Sequence, residues 1–340
     1  MKALLKKDLQ QKLEVVEIDE PKVRPNTVKI RVKATGICGT DLHILKNEYK
    51  HFPPNVLGHE YAGEIVEVGE GVRDFSVGER VTSLTTAVTC ERCDYCIAGL
   101  RLLCKERQNL GTHLQGAFAE YVVIDNKLVH KIPDNVSFDE AALTEPLACD
   151  VHGLMEMSRI MAGDVVLVSG PGSVGLLAQQ IVKAEGGIAV VCGTTKDEKK
   201  LALARELGAD AVVNVEKANL KDVIMTLTNG EGVDMGVECA GVEGSAKQCL
   251  DLIKSRGKYH QLGIFSKPIQ FDLDKALFHE IVITSSFGHT HFGFKKGLEL
   301  MGAGKIKTKP LITAKLPLEE WKKGFDMMEN KEGIKILLYT

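Results

Sequence analysis

Cys90-Glu91-Arg92-Cys93-Asp94-Tyr95-Cys96, followed by Cys104, sets four thiols at gaps of two, two and seven residues. Thiols so spaced can converge on one tetrahedral ion and leave no position open, the construction of a structural Zn2+ site. A closed site does no chemistry, so the pattern directs attention to a second, open one. Cys38-Gly39-Thr40-Asp41-Leu42-His43 and Gly58-His59-Glu60, about twenty residues apart, offer a thiolate, an imidazole and a carboxylate. These are three zinc-competent ligands that leave room for water or substrate. Glu145, in Thr144-Glu145-Pro146-Leu147, is a further candidate. Taken singly each has a plainer reading: Cys38 as a small buried residue, Glu60 as half of an ion pair.

A third constellation is Gly170-Pro171-Gly172-Ser173-Val174-Gly175, which follows the apolar run Val165–Val168 and opens a helical pattern. Glycines also serve ordinary turns. Between a strand and a helix their roles are specific: the first makes the turn, the second admits a pyrophosphate to the backbone, and the third lets helix pack on strand. The positive end of the helix then faces the phosphates. About twenty residues on, such a fold normally carries an Asp or Glu for the ribose hydroxyls. Here the position falls at Gly193, with Thr194-Thr195-Lys196 behind it. Without the carboxylate there is room for a 2′-phosphate, which predicts a modest preference for NADP(H). The alternative is a longer loop in which Asp197 or Glu198 swings round to take the ribose.

These residues need two kinds of scaffold. Thr27–Val32 and Tyr61–Val68 pattern as strands, and Gly69-Glu70-Gly71, Ser76-Val77-Gly78 and Asp134-Asn135 as turns, so the first 130 or so residues predict a β-rich lobe. After Pro146 the pattern changes. Strand signals at Val165–Val168, Ile188–Val191, Ala211–Val213, Gly232–Glu238, Lys258–Gly263 and Ile281–Ser285 alternate with helical stretches, among them Val174–Glu185 and Lys196–Leu207. That alternation builds a doubly wound parallel sheet. The tail predicts helices near Lys295–Gly302 and Leu318–Glu329 and a last strand, Ile334–Tyr339, in need of a partner.

At 340 residues, two domains are expected. A formal net charge of −3 and 44% hydrophobic residues describe an ordinary globular chain with no electrostatic reason to bind nucleic acid or an anionic membrane. The first twenty residues lack the apolar core of a signal peptide, and no run of eighteen apolar residues occurs. Nine cysteines, five of them scattered, are thiol usage of a reducing compartment, so a cytoplasmic protein is expected.

Taken together, Gly36 to His43, Gly58-His59-Glu60, the four-cysteine lobe, Glu145-Pro146-Leu147 and Gly170 to Gly175 make the chain resemble the zinc-dependent medium-chain alcohol and polyol dehydrogenases over essentially its full length. The resemblance, of the sorbitol, L-iditol and threonine dehydrogenase kind, implies a GroES-like catalytic domain at 1–148 and 287–340 and a Rossmann NAD(P)-binding domain at 149–286. Nicotinamide and catalytic zinc would lie in the cleft between them. It makes Cys38 and His59 zinc ligands, with Glu145 and Glu60 completing the shell directly, through water or in exchange. In alcohol dehydrogenases a Cys is the third ligand, and Cys149 is available for that role; the Glu-Pro-Leu motif favours Glu145. Thr40 and His43 match the family's proton path to solvent. The implied reaction takes a secondary, polyol-like alcohol to its ketone. One departure weakens the polyol assignment: where sorbitol dehydrogenases place an Arg that grips substrate hydroxyls, this chain has Ser286-Phe287-Gly288-His289. Either His289 or His291 substitutes, or the substrate is less hydroxylated, such as a diol or a hydroxy-amino acid. Relatives are dimers or tetramers. The competing readings are a catalytically silent dinucleotide-binding protein, a zinc-free quinone reductase and a zinc-ribbon nucleic-acid module. The ligand set opposes the first two and the acidic balance the third.

Overall fold

Two units emerge from the chain in the computed structural model, which describes residues 1–9 and 13–340. The first comprises Met1–Pro146, His289–Gly302 and Thr308–Thr340; the second comprises Leu147–Gly288 and Ala303–Lys307. The expected limits, 148/149 and 286/287, differ from these by two residues at each junction, and the short return of 303–307 to the second unit has no counterpart in the sequence reading.

In the first unit the strand Thr27–Gly36 buries Val28, Ile30, Val32 and Ala34 at the period of two that a pleated chain imposes. It pairs antiparallel with Glu60–Val68, Tyr121–Asp125 and the C-terminal strand Lys335–Tyr339. That last strand also pairs parallel with Ile312–Pro317, so both its edges are satisfied. Val129–Lys131 and Arg80–Ser83 complete a seven-stranded sheet. Beneath it lies a core that includes Ile37, Ile44, Val56, Leu57, Phe118, Phe325, Ile336 and Leu338. Full burial of one such side chain contributes about 1.5–3 kcal/mol. Ile44 draws the short helix Gly39–Leu45 onto this core. The ladder register then matters for chemistry: Gly36 lies opposite Glu60, so Cys38, two residues beyond one strand, is carried toward His59, one residue before the other.

The second unit holds six parallel strands in the order Ala211–Asn214, Ile188–Gly193, Val165–Ser169, Val233–Glu238, Ile253–Gln261, Val282–Ser285. This is a doubly wound sheet whose order reverses between Val165–Ser169 and Val233–Glu238, where ligands of such folds bind at the carboxyl ends. The stretch expected as one helix from Lys196 begins as a 3-10 turn, Thr195–Asp197, and becomes α-helical over Glu198–Glu206. Pro146, after which the sequence pattern changes, lies within a helix, Thr144–Val151, continued by π-helical turns at His152–Met157. Proline in a first turn removes only an N–H that has no helical acceptor. Among the described residues no helix is long and apolar enough to cross a membrane.

Candidate active site and metal-ligand clusters

Among the described residues two groups of three or more potential metal ligands lie with their donor atoms within 4.8 Å of one another: Cys90, Cys93, Cys96 and Cys104, and Cys38, His59 and Glu60. In the first, Cys90 Sγ is 3.8 Å and Cys93 Sγ 3.5 Å from Cys96 Sγ, and Cys104 Sγ accepts the Cys90 N–H at 3.4 Å. No disulfide joins them. Four sulfurs at ~2.3 Å from one zinc stand about 3.8 Å apart, so the spacing fits. Backbone N–H groups of Arg92 and Cys93 aimed at Cys90 bring its thiol down to about 7. At Cys93 the Cys96 N–H acts in the same direction, but desolvation and the neighbouring thiols overcome it and push the pKa up to about 11. Four thiols this close need a cation to ionise together.

In the second group Cys38 is the N-cap of Gly39–Leu45, and Asp41, three residues on, accepts the Cys38 N–H through Oδ2 at 2.9 Å. The other oxygen, Oδ1, is buried, accepts no hydrogen bond from the described residues, and stands 3.7 Å from His59 Nδ1. A carboxylate behind one ring nitrogen orients the imidazole and leaves Nε2 for a metal. Burial alone would lower the His59 pKa, but Asp41, Cys38 and Glu145 outweigh it and hold the pKa well above the usual histidine value. The field that favours a proton there is equally suited to a dication. Thr40 Oγ1 lies 3.6 Å from Cys38 Sγ. One helical turn further His43, partly exposed, places Nδ1 2.7 Å from Glu48 Oε2.

Glu60 is not spare. Lys335 Nζ donates to its two carboxylate oxygens at 2.7 and 2.6 Å and to Ile37 O at 3.3 Å, with both side chains at most 2% exposed. Glu145 stands outside the 4.8 Å cluster, close enough to act on His59 and Lys335 electrostatically. Its Oε1 is 3.8 Å from His289 Nε2, which lies 2.8 Å from Thr85 Oγ1. Of the two histidines considered for the missing Arg, His289 is therefore the one beside Glu145. His291 is turned to His130, its Nδ1 3.3 Å from His130 Nε2. Cys149 follows Glu145 by one turn and belongs to the second unit. Asp41, Lys335 and Thr85 were not assigned from sequence. Asp41 alone had a signal, the acid three residues into a helix that caps its own N-terminus.

In the second unit Gly170 turns at φ +102°, and a Cβ on Gly175 would stand 1.9 Å from Gly170 O, so helix Ser173–Ala184 needs glycine there to pack on its strand. A Cβ on Gly172, the N-cap of that helix, would meet nothing within 4 Å. Protein packing does not require that glycine, which suits a ligand lying against it. Ser173 and Val174 begin the helix and present its N-terminal N–H groups. At Gly193 a Cβ would press on Pro171 Cδ at 2.9 Å, the steric reason no carboxylate grows from this position. Asp197 is turned back onto Thr194, accepting from its N–H and Oγ1 at 3.1 and 2.9 Å, and Glu198 pairs with Lys217. Lys196 is exposed, with Glu216 taking the adjacent Thr195 N–H at 2.9 Å. At the neighbouring strand end Glu238 is fully buried and accepts from Ala240 N and Gly241 N, both at 2.9 Å, fixing the loop that backs Gly170.

Residues 24–134 match the family model of the alcohol dehydrogenase GroES-like domain, and residues 173–303 that of the zinc-binding dehydrogenases. The chain is 40% identical to the sorbitol dehydrogenase of Halalkalibacterium halodurans, covering 95% of this chain and 94% of that one. It is 37% identical to the D-arabitol-phosphate dehydrogenase of Enterococcus avium (95% and 92% covered) and 36% identical to the L-threonine 3-dehydrogenase of Pseudoalteromonas atlantica (99% of each). Among solved structures, a zinc-binding dehydrogenase from Sinorhizobium meliloti 1021 bound to NADP superposes with a TM-score of 0.90 at 32% identity, covering 100% of this chain and 99% of that one. With both domain types matched and relatives of this identity aligned nearly end to end, the chain belongs to the zinc-dependent medium-chain alcohol and polyol dehydrogenases.

Proposed function

We propose that this enzyme oxidises a secondary, polyol-type alcohol to its ketone with a nicotinamide cofactor, and that the first unit is catalytic and the second binds the nucleotide. The sorbitol and arabitol-phosphate dehydrogenases it resembles support the alcohol class. One observation carries the site assignment: the donors of Cys38, His59 and Glu60 converge, with Asp41 behind the imidazole and Thr40 beside the thiol. Cys38 and His59 hold the catalytic zinc with Glu145 or Glu60 as the acid, and Cys90, Cys93, Cys96 and Cys104 hold the structural one. Lys335 already engages both oxygens of Glu60, which supports Glu145 as the partner more available to the metal or its bound water. When bound, zinc supplies a Lewis acid and the nicotinamide a hydride acceptor. Thr40 Oγ1 would accept the alcohol proton as it gives up its own, and His43, steadied by Glu48, would release the relayed proton to solvent. His289, 2% exposed and 3.8 Å from Glu145 Oε1, orients that carboxylate.

Gly170, Gly172, Ser173, Val174 and Gly175 form the pyrophosphate seat, and Gly193, Thr194 and Lys196 face the adenosine ribose. The two nearby acids Asp197 and Glu198 are engaged elsewhere, which supports the lean to NADP(H). Nine cysteines, five of them scattered along the chain, support a cytoplasmic setting. A homo-oligomer is supported by the outer strand Val282–Ser285, whose Val282 and Ile283 are 53% and 42% exposed beside Leu277 and Phe278. An unpaired apolar strand edge pairs readily with a second copy of itself.

Metal analysis and turnover test the reading. The wild type is expected to carry two zinc ions per chain and to reduce cofactor with sorbitol; Cys38→Ala should retain one ion and lose turnover. Two ions retained in Cys38→Ala with turnover intact would remove the site.

A further inference from the structure

Two segments outside the ligand cluster carry polar groups that the mechanism above leaves unused. Both hang from the strand that leads to His59. Gly116 N and Ala117 N donate to Val56 O and Gly58 O at 2.7 and 2.8 Å, and Phe52 N donates to Thr112 O at 2.9 Å. The loop Asn109–His113 and the segment Lys50–Phe52 are thereby held together next to the glycine that precedes His59.

Their chemistry is of two kinds. Lys50 is exposed, has no ion pair among the described residues, and sets Nζ 5.3 Å from the centroid of the Phe52 ring. Phe52 is 45% exposed and lies against His113 with ring centroids 4.6 Å apart. His113 Nδ1 lies 3.4 Å from Asn109 N and 2.9 Å from Thr112 Oγ1; in the tautomer where Nδ1 accepts from both, Nε2–H is a donor. Burial first, then the charges of Arg107 and Lys50, lower the His113 pKa, so positive potential gathers at this point. Cation, N–H donor and positive field suit an oxyanion. Beside them stand acceptors that want hydroxyls. His51 is 8% exposed; its Nδ1–H is spent on Tyr49 O at 2.9 Å, and its buried Nε2 has no partner among the described residues. Asn109 Oδ1 is likewise buried without a donor. A buried acceptor left unmet costs roughly as much as a lost hydrogen bond, so such groups call for a donor that the described side chains do not supply.

We propose that Lys50, Phe52 and His113 form a subsite for a phosphate group carried by the substrate, with His51 and Asn109 taking hydroxyls of the same molecule, so that the preferred substrate is a phosphorylated polyol. The proposal rests on the secondary-alcohol reading above and refines it. A phosphate held by one ammonium and one imidazole N–H discriminates against the free polyol by tenfold or more, since charge-assisted hydrogen bonds are about twice as strong as neutral ones.

The test compares kcat/KM for sorbitol 6-phosphate and for sorbitol in the wild type, Lys50→Glu and His113→Gln, and measures sorbitol 6-phosphate binding to the same proteins by calorimetric titration. The phosphorylated substrate is expected to be favoured about tenfold or more, the ratio to fall about tenfold in Lys50→Glu and to a lesser degree in His113→Gln, and inorganic phosphate to compete with sorbitol 6-phosphate more strongly than with sorbitol. A ratio of one or less in the wild type, or a Lys50→Glu variant that weakens both substrates equally, overturns the subsite. If neither alcohol is oxidised, the secondary-alcohol reading fails, and titration still decides the subsite: tighter binding of sorbitol 6-phosphate to the wild type than to Lys50→Glu upholds it, and equal binding ends it.

Discussion

Replacing Lys335 by Met would leave Glu60 as a carboxylate sealed in the first unit without its cation. Both oxygens now accept from Nζ at 2.7 and 2.6 Å, and neither side chain is more than 2% exposed. Burial works against the Lys335 ammonium, yet Glu60 first, with Cys38 and Glu145, raises its pKa above the usual lysine value. Breaking a buried pair by removing one partner costs about 3–5 kcal/mol, because the other charge stays desolvated. In a unit of about 200 residues each kcal/mol lowers the midpoint by about 2–4 °C, so thermal unfolding should fall by roughly 6–20 °C. The double variant Glu60→Gln/Lys335→Met removes the stranded charge and should recover most of the loss, a coupling that a double-mutant cycle in urea measures directly. Metal content recorded alongside separates loss of the ion pair from loss of zinc. If Lys335→Met costs under about 1 kcal/mol with zinc retained, or if the double variant is no more stable than the single, the pair does not carry the weight assigned to it.

Gly172→Ala should unfold at the wild-type temperature, since φ is −72° and the new Cβ meets nothing within 4 Å, while raising KM for the nicotinamide cofactor about tenfold. Gly175→Ala should lose stability instead, its Cβ falling 1.9 Å from Gly170 O; equal behaviour of the two variants would contradict the pyrophosphate seat. Lys196→Glu is expected to shift kcat/KM from NADPH toward NADH by about tenfold, and a ratio unmoved by the charge reversal would show that Lys196 does not face the ribose phosphate. His260 is fully buried, with Ser158 and Thr284 hydroxyls at 2.6 and 2.8 Å from Nδ1, and burial, aided by His152, brings its pKa down to about 4. Folding favours its neutral form, so its contribution is full above pH 6.5 and drains away as pH falls toward 4, by about 3 kcal/mol in all. Urea midpoints at pH 7 and 4.5 should therefore differ less in His260→Gln than in the wild type; identical slopes would exclude His260 as the source.

The four-cysteine lobe, the capped turn at Cys38 and the glycine turn were legible in the sequence because each depends on partners within a few residues, whereas His59 reaches Cys38 through the register that sets Gly36 opposite Glu60. A capping acid at i+3, thiols two residues apart and a glycine between strand and helix owe their geometry to local backbone. The strand and helix alternation was legible for the same reason, since periods of 2 and 3.6 are local. Pro146 was legible as the place where the pattern changes but not as part of a helix, because its cost depends on its place within one, which residue type does not reveal. What the tertiary structure alone decided lies at long range. Lys335 meets Glu60 across 275 residues, Thr85 meets His289 across 204, and Pro171 occupies the room a side chain at Gly193 would need. Such pairings follow from sheet register and close packing, which are settled only when the whole core condenses. The amino-acid order thus determined which groups are candidates for the chemistry, and the packed fold determined which of them are already engaged with one another.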